Sequence, residues 1–421
     1  MRSQDNPRAF LRALFDRAVE VADPMRSLAQ HLPPRPMGRV VVVGAGKASA
    51  RMAEAVEAAW GPCEGLVVTR YRHARPCRGV EIVEAAHPVP DAVGEAATAR
   101  MLALLEGLGE DDFVLALISG GASALLAAPA SGLTLADEQA VNAALLASGA
   151  PISAMNTVRK HLSRVKGGQL AAAAYPARML ALLISDVPGD DPAVIGSGPT
   201  VGEASTPADA LAILERWGIE AAPGIRATLS QRTGVVPPSD PRLSRVESRV
   251  IAAPARSLAA AAKMAQEAGC ETRILGDAIE GEAREVARLM AAQALSAQAT
   301  LGYGQSILFL SGGELTVTRR GDGVGGPNAE FALALALALD RAPGVHSIAC
   351  DTDGVDGAAE IAGALVTPDT LTQAGALGAD PDRALVANDS HSFFGQLGDQ
   401  VVTGPTLTNV NDFRAILVQG T

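Results

Sequence analysis

Short apolar runs rich in β-branched residues alternate along the chain with segments of helical periodicity. One such run, residues 39–43, leads through the glycine turn 44–49 into a helical segment that ends near Ala59. Strands that alternate with helices in this way predict mostly parallel sheets covered by helices. The predicted strands are residues 39–43, 66–69, 80–83, 113–118, 179–184, 249–253, 272–275, 306–310 and 347–350.

The predicted helices include one ambiguous case. Residues 7–32 carry apolar side chains on one helical face before a group of prolines, and 255–269 and 281–297 are also predicted helices. Residues 331–339 alternate Phe or Leu with Ala at a period of two. We predict a helix there, because Ala and Leu are strong helix formers and the run contains no β-branched residue.

A proline-containing segment, residues 234–240, separates two series of strands and helices. We therefore predict an α/β protein with two domains, residues 1–239 and residues 240–421, each built on a mostly parallel sheet.

Composition argues against several classes of function. Of the 421 residues, 48% are hydrophobic and 19% are charged, which is atypical of a disordered chain. The net charge of −11 and the aromatic content of 3% argue against a nucleic-acid binder. We see no apolar stretch long enough for a membrane span and no signal peptide, so we expect a cytoplasmic protein. The four cysteines form no C-x-x-C pair that would indicate a zinc or redox motif.

Candidate functional residues cluster just after predicted strands, at the sheet edge where α/β proteins bind ligands. In the first such loop, Gly44 and Gly46 would let backbone N–H groups approach an anion, with Lys47 beside them. The loop is not a dinucleotide fingerprint, since Ser49 stands where a third glycine is needed, nor a Walker A loop, since Val41 replaces its first glycine. A tight turn with a solvated lysine is the structural alternative.

Two further loops combine glycines with hydroxyl or acidic groups. Ser119, Gly120, Gly121 and Ser123 could surround phosphate oxygens, although a turn that packs a helix on a strand has the same composition. The loop 311–314, which contains Gly312, Gly313 and Glu314, is paired in our interpretation with the acidic segment 351–357. That segment is no EF-hand, because Ala362 occupies the position of the required glutamate.

A basic segment, residues 156–168, contrasts with the acidic chain around it. On a helix, Arg159 and Ser163 would share one face and Lys160 and Arg164 another, so the segment could bind a carboxylate or phosphate. A solvated charged helix is the alternative.

An acidic loop, residues 185–191, lies just upstream of a glycine-rich segment, residues 196–200. Asp186 could accept a proton from a substrate hydroxyl, and Asp190 could bind Mg²⁺ together with substrate phosphates. The alternative is a polar loop held by Asx turns.

Anion-binding turns, a lysine, a basic segment and carboxylates together favour phosphoryl transfer, and therefore a metabolic kinase. A dehydrogenase is the second hypothesis, weakened by the missing G-x-G-x-x-G pattern. A non-catalytic regulator that binds sugar phosphates is the third.

These motifs resemble, in order along the chain, those of the class II glycerate kinases, the glycerate 2-kinase family with a C-terminal MOFRL domain. The resembling stretches are VVVGAGKAS (41–49), LISGGASALL (117–126), NTVRKHLSRVKGGQLA (156–171), ISDVPGDDPAVIGSGPT (184–200), LSGGE (310–314), GGPNAEFALA (325–334), DTDGVDG (351–357) and TGPTLTNVNDF (403–413).

The resemblance implies ATP- and Mg²⁺-dependent phosphorylation of D-glycerate to 2-phosphoglycerate. It also implies two Rossmann-like α/β/α domains with the active site in the cleft between them. Members of the family are often labelled hydroxypyruvate reductases, and we expect that label to be wrong for this chain. An NAD(P)H-dependent hydroxypyruvate reductase and a non-catalytic regulator that binds sugar phosphates are the two alternatives. We expect small-molecule partners only, no nucleic acid or membrane, and a monomer or homodimer.

The residues are assigned as follows on this resemblance and on the loop chemistry. The predicted catalytic residues are Lys47, Asp186 and Arg159; the nucleotide or phosphate contacts are Gly44, Gly46, Ser119, Gly120, Gly121, Ser123, Gly312 and Gly313; the substrate contacts are Lys160, Arg164 and Asn156; the metal ligands are Asp190, Glu314 and Asp351.

The sequence departs from the family at one position. Many members read G-G-R-N-Q-E before the leucine-rich helix, whereas Pro327 occupies the arginine position here. Proline supplies neither a cation nor a backbone N–H. We therefore expect any role of that arginine to be absent or to be taken by Arg159 or Arg256.

Overall fold

The protein consists of two compact units, which differ in extent from the two predicted domains. The division falls after Ile251, beyond the split near residue 240 that the sequence indicated, and the N-terminal helix belongs with the C-terminal part of the chain. The computed structural model describes residues 5–420. The first unit comprises residues 24–186 and 190–251, and the second comprises residues 5–23, 187–189 and 252–420.

Helices and strands alternate through most of the chain. The helices are α1 Pro7–Ala22, α2 Pro24–Ser27, α3 Ser49–Trp60, α4 Ala92–Leu104, α5 Ala122–Leu125, α6 Leu135–Ser148, α7 Ile152–His161, α8 Gln169–Ala174, α9 Pro207–Arg216, α10 Pro223–Leu229, α11 Pro254–Glu267, α12 Ala283–Gln298, α13 Pro327–Leu339, α14 Thr370–Leu377, α15 Pro381–Val386 and α16 Ser390–Leu397. The strands are β1 Val40–Ala45, β2 Glu64–Arg70, β3 Val80–Ala85, β4 Phe113–Ile118, β5 Arg178–Ile184, β6 Val246–Ala252, β7 Glu271–Gly276, β8 Gly281–Glu282, β9 Ser306–Ser311, β10 Leu315–Thr316, β11 Val345–Asp351, β12 Gly363–Val366, β13 Gln400–Val401 and β14 Asp412–Gln419.

The first unit is built on a six-stranded sheet in the order β3-β2-β1-β4-β5-β6. The pairs β1–β2, β2–β3, β1–β4 and β4–β5 are parallel, as predicted. This is the strand order of Rossmann folds. Strands β1 to β3 are added toward one side of the sheet and β4 to β6 toward the other, so the order reverses between β1 and β4. Ligands of such sheets bind beyond the carboxyl ends of the strands at that switch point.

The sheet of the second unit is mixed, so the prediction of a mostly parallel sheet is wrong there. Its order is β13-β12-β11-β14-β9-β7, and only the pair β7–β9 is parallel among the pairs within residues 5–420. No helix lies between β11 and β12, so the chain returns antiparallel instead of crossing over. We did not predict β12, β13 or β14.

Helices cover both faces of this second sheet. Side chains alternate along β9: Ile307 and Phe309 pack against α12 and α13, whereas Leu308 and Leu310 pack against α1 and α11. This period-two alternation produces an α/β/α arrangement. It also explains why α1 joins the second unit, because the apolar face of α1 shares a core with α11.

Two helix predictions had different outcomes. The segment of alternating Ala and Leu is helical, as α13, and residues 331–336 are buried on every side, which explains its lack of a polar face. The N-terminal helix is shorter than predicted. It ends at Ala22, because Asp23 takes the extended backbone favoured before Pro24.

A separate helical layer in the first unit carries part of the candidate site. Val141 of α6, Val158 of α7, Leu214 of α9 and Ile225 of α10 lie in one apolar cluster. This packing fixes α7, which bears Asn156 and Arg159. Within residues 5–420, no helix is long and apolar enough to cross a membrane.

Candidate active site

Three predicted loops of the first unit lie at one edge of the parallel sheet. They follow β1, β4 and β5, which are adjacent strands with their carboxyl ends in register: Ala45 pairs with Ile118, and Ile118 with Leu183. The edge therefore brings together the turn of Lys47, the Ser-Gly-Gly loop and Asp186. Two of these loops, after β1 and β4, flank the switch point itself.

The first two loops are bonded directly to each other. The backbone N–H of Lys47 donates to the carbonyl of Gly120 over 2.8 Å, and that of Ala48 donates to Ser119 Oγ over 3.0 Å. Ser49 Oγ lies 3.1 Å from Ser119 Oγ. Ser119 is fully buried, and its hydroxyl connects the two loops. A phosphate contact by Ser119 stays a prediction.

Glycine is required where these loops approach each other. Gly46 has a φ of +138°, and a Cβ built there would lie 2.1 Å from Ser119 Oγ. A Cβ on Gly121, where φ is +84°, would lie 3.0 Å from the His87 ring and 3.4 Å from Lys47 Cγ. Any side chain at these two positions would separate the loops or displace the lysine.

Lys47 occupies the turn between β1 and α3. Its side chain is half-buried, and its aliphatic stem passes beside Gly121. The helix starts two residues later at Ser49. The predicted strand–glycine turn–helix unit is thus present, with the lysine just before the first helical turn. A catalytic role for Lys47 remains a prediction.

A second group links the Ser-Gly-Gly loop to the basic segment and to the glycine-rich segment 196–200. Ser123 Oγ lies 2.7 Å from Ser197 Oγ, and Ser197 Oγ donates to Asn156 Oδ1 over 3.1 Å. Arg159 Nη1 is 3.5 Å from the same Asn156 oxygen, and Arg159 Nε donates to Asn142 Oδ1 over 2.8 Å. Five residues from three separate parts of the chain, Ser123, residues 142–159 and Ser197, therefore form one polar array.

The basic segment is not a continuous helix, so the predicted face sharing is wrong. Helix α7 ends at His161, and Ser163 instead forms an isolated bridge with Pro129. Lys160 is ion-paired with Glu203, and Arg164 Nε donates to the Pro129 carbonyl over 2.9 Å. A substrate would have to compete with these internal contacts, and substrate binding by Lys160 and Arg164 stays a prediction.

Another cation of the segment is fully internal. The Lys166 amine donates to Glu138 Oε1 over 2.9 Å, and its side chain is completely buried.

Burial lowers the pKa of Arg159, which nevertheless remains charged because the ordinary pKa of arginine is so high. Arg159 is thus a partly buried cation next to the polar array.

The acidic loop offers one oxygen suited to a cation. Asp190 has a φ of +55°, and its Oδ1 is buried without a hydrogen-bond partner among the described residues. Within residues 5–420, no cluster of three His, Cys, Asp or Glu side chains could hold a metal. Mg²⁺ commonly uses one or two carboxylates plus substrate phosphates, so Asp190 fits that manner of binding but not an all-protein cage.

The second unit also gathers its predicted loops at one sheet edge. Strands β9 and β11 both pair antiparallel with β14, so their carboxyl ends flank its start: Ser311 faces Arg414, and Asp351 faces Asp412. Gly312, Gly313 and Glu314 follow β9 directly, and the Glu314 side chain is exposed. Nucleotide or metal contacts by these residues and by Asp351 remain predictions.

A fully buried arginine holds this second edge. Arg414 donates from Nη1 to Asp412 Oδ2 over 2.9 Å and from Nη2 to the Gly312 carbonyl over 2.5 Å. Its Nε is 3.3 Å from Ser311 Oγ. Asp412 Oδ1 in turn accepts from Asn328 Nδ2 over 2.7 Å. The Ser-Gly-Gly loop of the second unit is therefore fixed by an internal ion pair.

Two acidic side chains of the segment 351–357 accept hydrogen bonds from backbone N–H groups. Asp353 Oδ1 accepts from the backbone N–H of Val355, while Asp356 accepts from the backbone N–H groups of Asn328 and Ala329 at 2.9 and 2.8 Å. Asp356 thus caps the N-terminus of α13 from outside the helix. Burial raises its pKa to about 7, against the opposing effect of these hydrogen bonds.

Pro327, at the position of the family's arginine, begins α13. At the first helical position no intrahelical bond from the N–H is lost, and the fixed φ of proline suits the helix. The substitution is locally compatible with the fold.

Sequence reasoning missed Ser197, Asp356 and Arg414 as organising residues. Ser197 lies between two glycines, a pattern that could have indicated an unusual turn. For Arg414 no sequence signal existed, because an arginine in the eight-residue strand β14 normally indicates an exposed face.

The fold and the site define a class first: a two-unit α/β protein with glycine-rich, lysine-bearing loops at a sheet switch point and no dinucleotide fingerprint. The model of the domain of unknown function DUF4147 matches residues 10–230, and the MOFRL family model matches residues 307–412. The chain belongs to the class II glycerate kinase family with a C-terminal MOFRL domain.

Named relatives are similar over nearly the full length. An Agrobacterium vitis protein named "Putative hydroxypyruvate reductase" is 54% identical over 98% of this chain and 94% of its own. The D-glycerate 2-kinase of Thermotoga maritima is 40% identical over 95% of each chain. A crystal structure of glycerate kinase from the same organism matches with a TM-score of 0.86 and 38% identity, over 98% of this chain and 99% of that one.

Proposed function

We propose that the protein is a kinase that transfers the terminal phosphoryl group of ATP to D-glycerate and forms 2-phosphoglycerate. The observation that carries this proposal is the pair of hydrogen-bonded glycine loops at the switch point, the first of which contains Lys47. Phosphoryl transfer requires positioning and positive charge more than covalent chemistry. The relatives named glycerate kinase support glycerate as the substrate.

Each residue of the edge has a role in this proposal. Lys47 contacts the transferring phosphoryl group, where its ammonium stabilises the charge that develops on the oxygens. Asp186 accepts the proton of the attacking hydroxyl. Arg159, held by Asn142 and Asn156, binds the carboxylate of glycerate from its partly buried position. The backbone around Gly44, Gly46, Gly120 and Gly121 approaches the phosphates.

Asp190 would be the residue of the first unit that contacts Mg²⁺, through its unpartnered Oδ1. When bound, the ion neutralises charge on the nucleotide phosphates. Glu314 and Asp351 remain further candidates in the second unit.

Hydroxypyruvate reduction is the second candidate function. The name of the Agrobacterium vitis relative and the Rossmann strand order both favour it. The loop after β1 argues against it, because Ser49 removes the third glycine of the dinucleotide fingerprint.

A coupled assay separates these functions. Purified protein with D-glycerate, ATP and Mg²⁺ is expected to form a product that enolase consumes directly, without phosphoglycerate mutase. A requirement for the mutase would assign phosphorylation to the 3-position. NADH or NADPH oxidation with hydroxypyruvate, in the absence of kinase activity, would reverse the order of the two functions.

A further inference from the structure

Ser197 has a backbone conformation that serine rarely adopts. Its φ is +62°, between Gly196 at +59° and Gly198 at +60°. A residue with a side chain is destabilised in this left-handed region, and glycine would remove the penalty. Its two neighbours are glycines, yet this position carries a serine, and that serine is only 1% exposed.

Surrounding backbone contacts keep Ser197 in this conformation. The N–H of Gly167 donates to the Ser197 carbonyl over 3.1 Å, and the N–H of Gly168 donates to the Gly198 carbonyl over 2.8 Å. The Ser197 N–H donates to the Val194 carbonyl over 3.0 Å. The strained turn is thus over-determined, which is the condition under which strain persists at functional sites.

The hydrogen bonds of Ser197 have a defined direction. Arg159 can only donate, so its approach to Asn156 requires the oxygen of that amide to face it. Ser197 donates its single hydrogen to the same oxygen. Ser123 must then donate its own hydrogen to Ser197, over the 2.7 Å that separates the two hydroxyls.

This direction decides what Ser123 offers to a ligand. With its hydrogen engaged, Ser123 Oγ retains only lone pairs, so it accepts from a hydroxyl and does not donate to a phosphate oxygen. Ser123 is half-buried, at the edge that bears Lys47 and Asp186. Resting on the proposed function, we propose that Ser197 is a positioning residue that orients Ser123 to receive the terminal, non-reacting hydroxyl of glycerate.

The test compares two ligands that differ only in that hydroxyl. D-lactate has the carboxylate and the 2-hydroxyl of D-glycerate but carries a methyl group in place of the hydroxymethyl group. In Ser197→Gly, kcat/KM for D-glycerate is expected to fall about 10-fold, the usual scale for one lost hydrogen bond, mainly through KM. The inhibition constant of D-lactate and the KM for ATP should change less than about 2-fold.

Two further variants separate positioning from folding. Ser197→Gly relieves the strained φ but removes two hydrogen bonds of the hydroxyl, so the two effects largely offset each other and its melting temperature should stay close to that of the wild type. Ser123→Ala should give the same pattern, and the double variant should lose no more than Ser123→Ala alone. Asp340→Gly, which relieves a φ of +43° in the second unit, is the matched control and should leave the kinetics unchanged.

Three outcomes would overturn the proposal. Equal losses for D-glycerate and D-lactate would indicate general disruption of the site. Wild-type kinetics in Ser197→Gly would show that the hydroxyl positions nothing. A wild-type protein inactive with ATP and D-glycerate would refute the proposed function and this inference together, whereas the first two results refute this inference alone.

Discussion

The protein contains two strand-to-loop transitions with the same Ser-Gly-Gly sequence, and the two loops lie in different surroundings. At Ser119 the loop is bonded to a neighbouring turn, and Lys47 and Ser123 remain half-buried beside it. At Ser311 the loop is bonded to Arg414, whose charge is neutralised by Asp412 inside the second unit. Similar short motifs therefore do not imply similar roles. We predict that the groups around each loop decide whether it contacts a ligand or only stabilises the fold.

We predict that removing the buried partner of the second loop affects stability, whereas removing the lysine beside the first loop affects catalysis. The largest expected effect is that of Arg414→Met. It leaves Asp412 buried without its partner, which typically costs about 3–5 kcal/mol. We expect a large loss of melting temperature, measured by calorimetry, with folded protein at low temperature retaining kcat.

The control for this prediction is the double variant Arg414→Met/Asp412→Asn, which removes both charges and should recover part of the stability. Arg273→Met, which breaks an exposed pair with Glu271, should cost less than about 1 kcal/mol. A stable Arg414→Met protein with reduced kcat would contradict the structural role assigned to the second loop.

Lys47→Met is expected to have the opposite signature. The loss of one preorganised donor to a developing charge typically lowers the rate by about 10²–10³. The effect should fall on kcat more than on KM, because the lysine acts mainly in the transition state. Steady-state kinetics on the folded variant measures it. Lys263→Met, on the exposed face of α11, is the matched control, and a near wild-type kcat in Lys47→Met would exclude Lys47 from catalysis.

A third prediction concerns how the stability of the second unit depends on pH through Asp356. Burial raises the pKa of Asp356 to about 7, from an unfolded value near 3.8. Between these values the folded state binds more protons than the unfolded state, so stability from this group is complete below about pH 4 and is lost as pH rises to about 7. Asp356→Asn should flatten that part of the melting-temperature profile. An unchanged profile in the variant would show that Asp356 does not titrate there.

The two units also differ in how far their structure could be predicted from the sequence. The loops of the first unit could be located in advance, because parallel strands bring every carboxyl end to one edge and the loops are contiguous in sequence. The strand pairing of the second sheet could not be predicted in this way. Its central strand β14 comes from the C-terminus, and β14 pairs with strands that lie far from it along the chain. The ion pairs of the basic segment could not be predicted for a related reason: the partners of Lys160 and Lys166 are Glu203 and Glu138, neither of which lies within the segment.

The smallest expected effect concerns Pro327, which begins α13. Pro327→Ala keeps the helix but raises the conformational entropy of the unfolded chain, so the free energy of unfolding should fall by about 0.4–1 kcal/mol. The values of kcat and KM should stay within about 2-fold of the wild type. Pro327→Arg restores the side chain common in the family at a position where the backbone accepts any residue. If other groups already supply the charge, Pro327→Arg should match Pro327→Ala in kcat/KM. An increase of more than about 10-fold over Pro327→Ala would instead mean that this chain lacks a stabilising cation, since that ratio corresponds to about 1.4 kcal/mol of transition-state stabilisation. The alanine variant is the decisive reference, because both substitutions remove the proline and only one adds a charge.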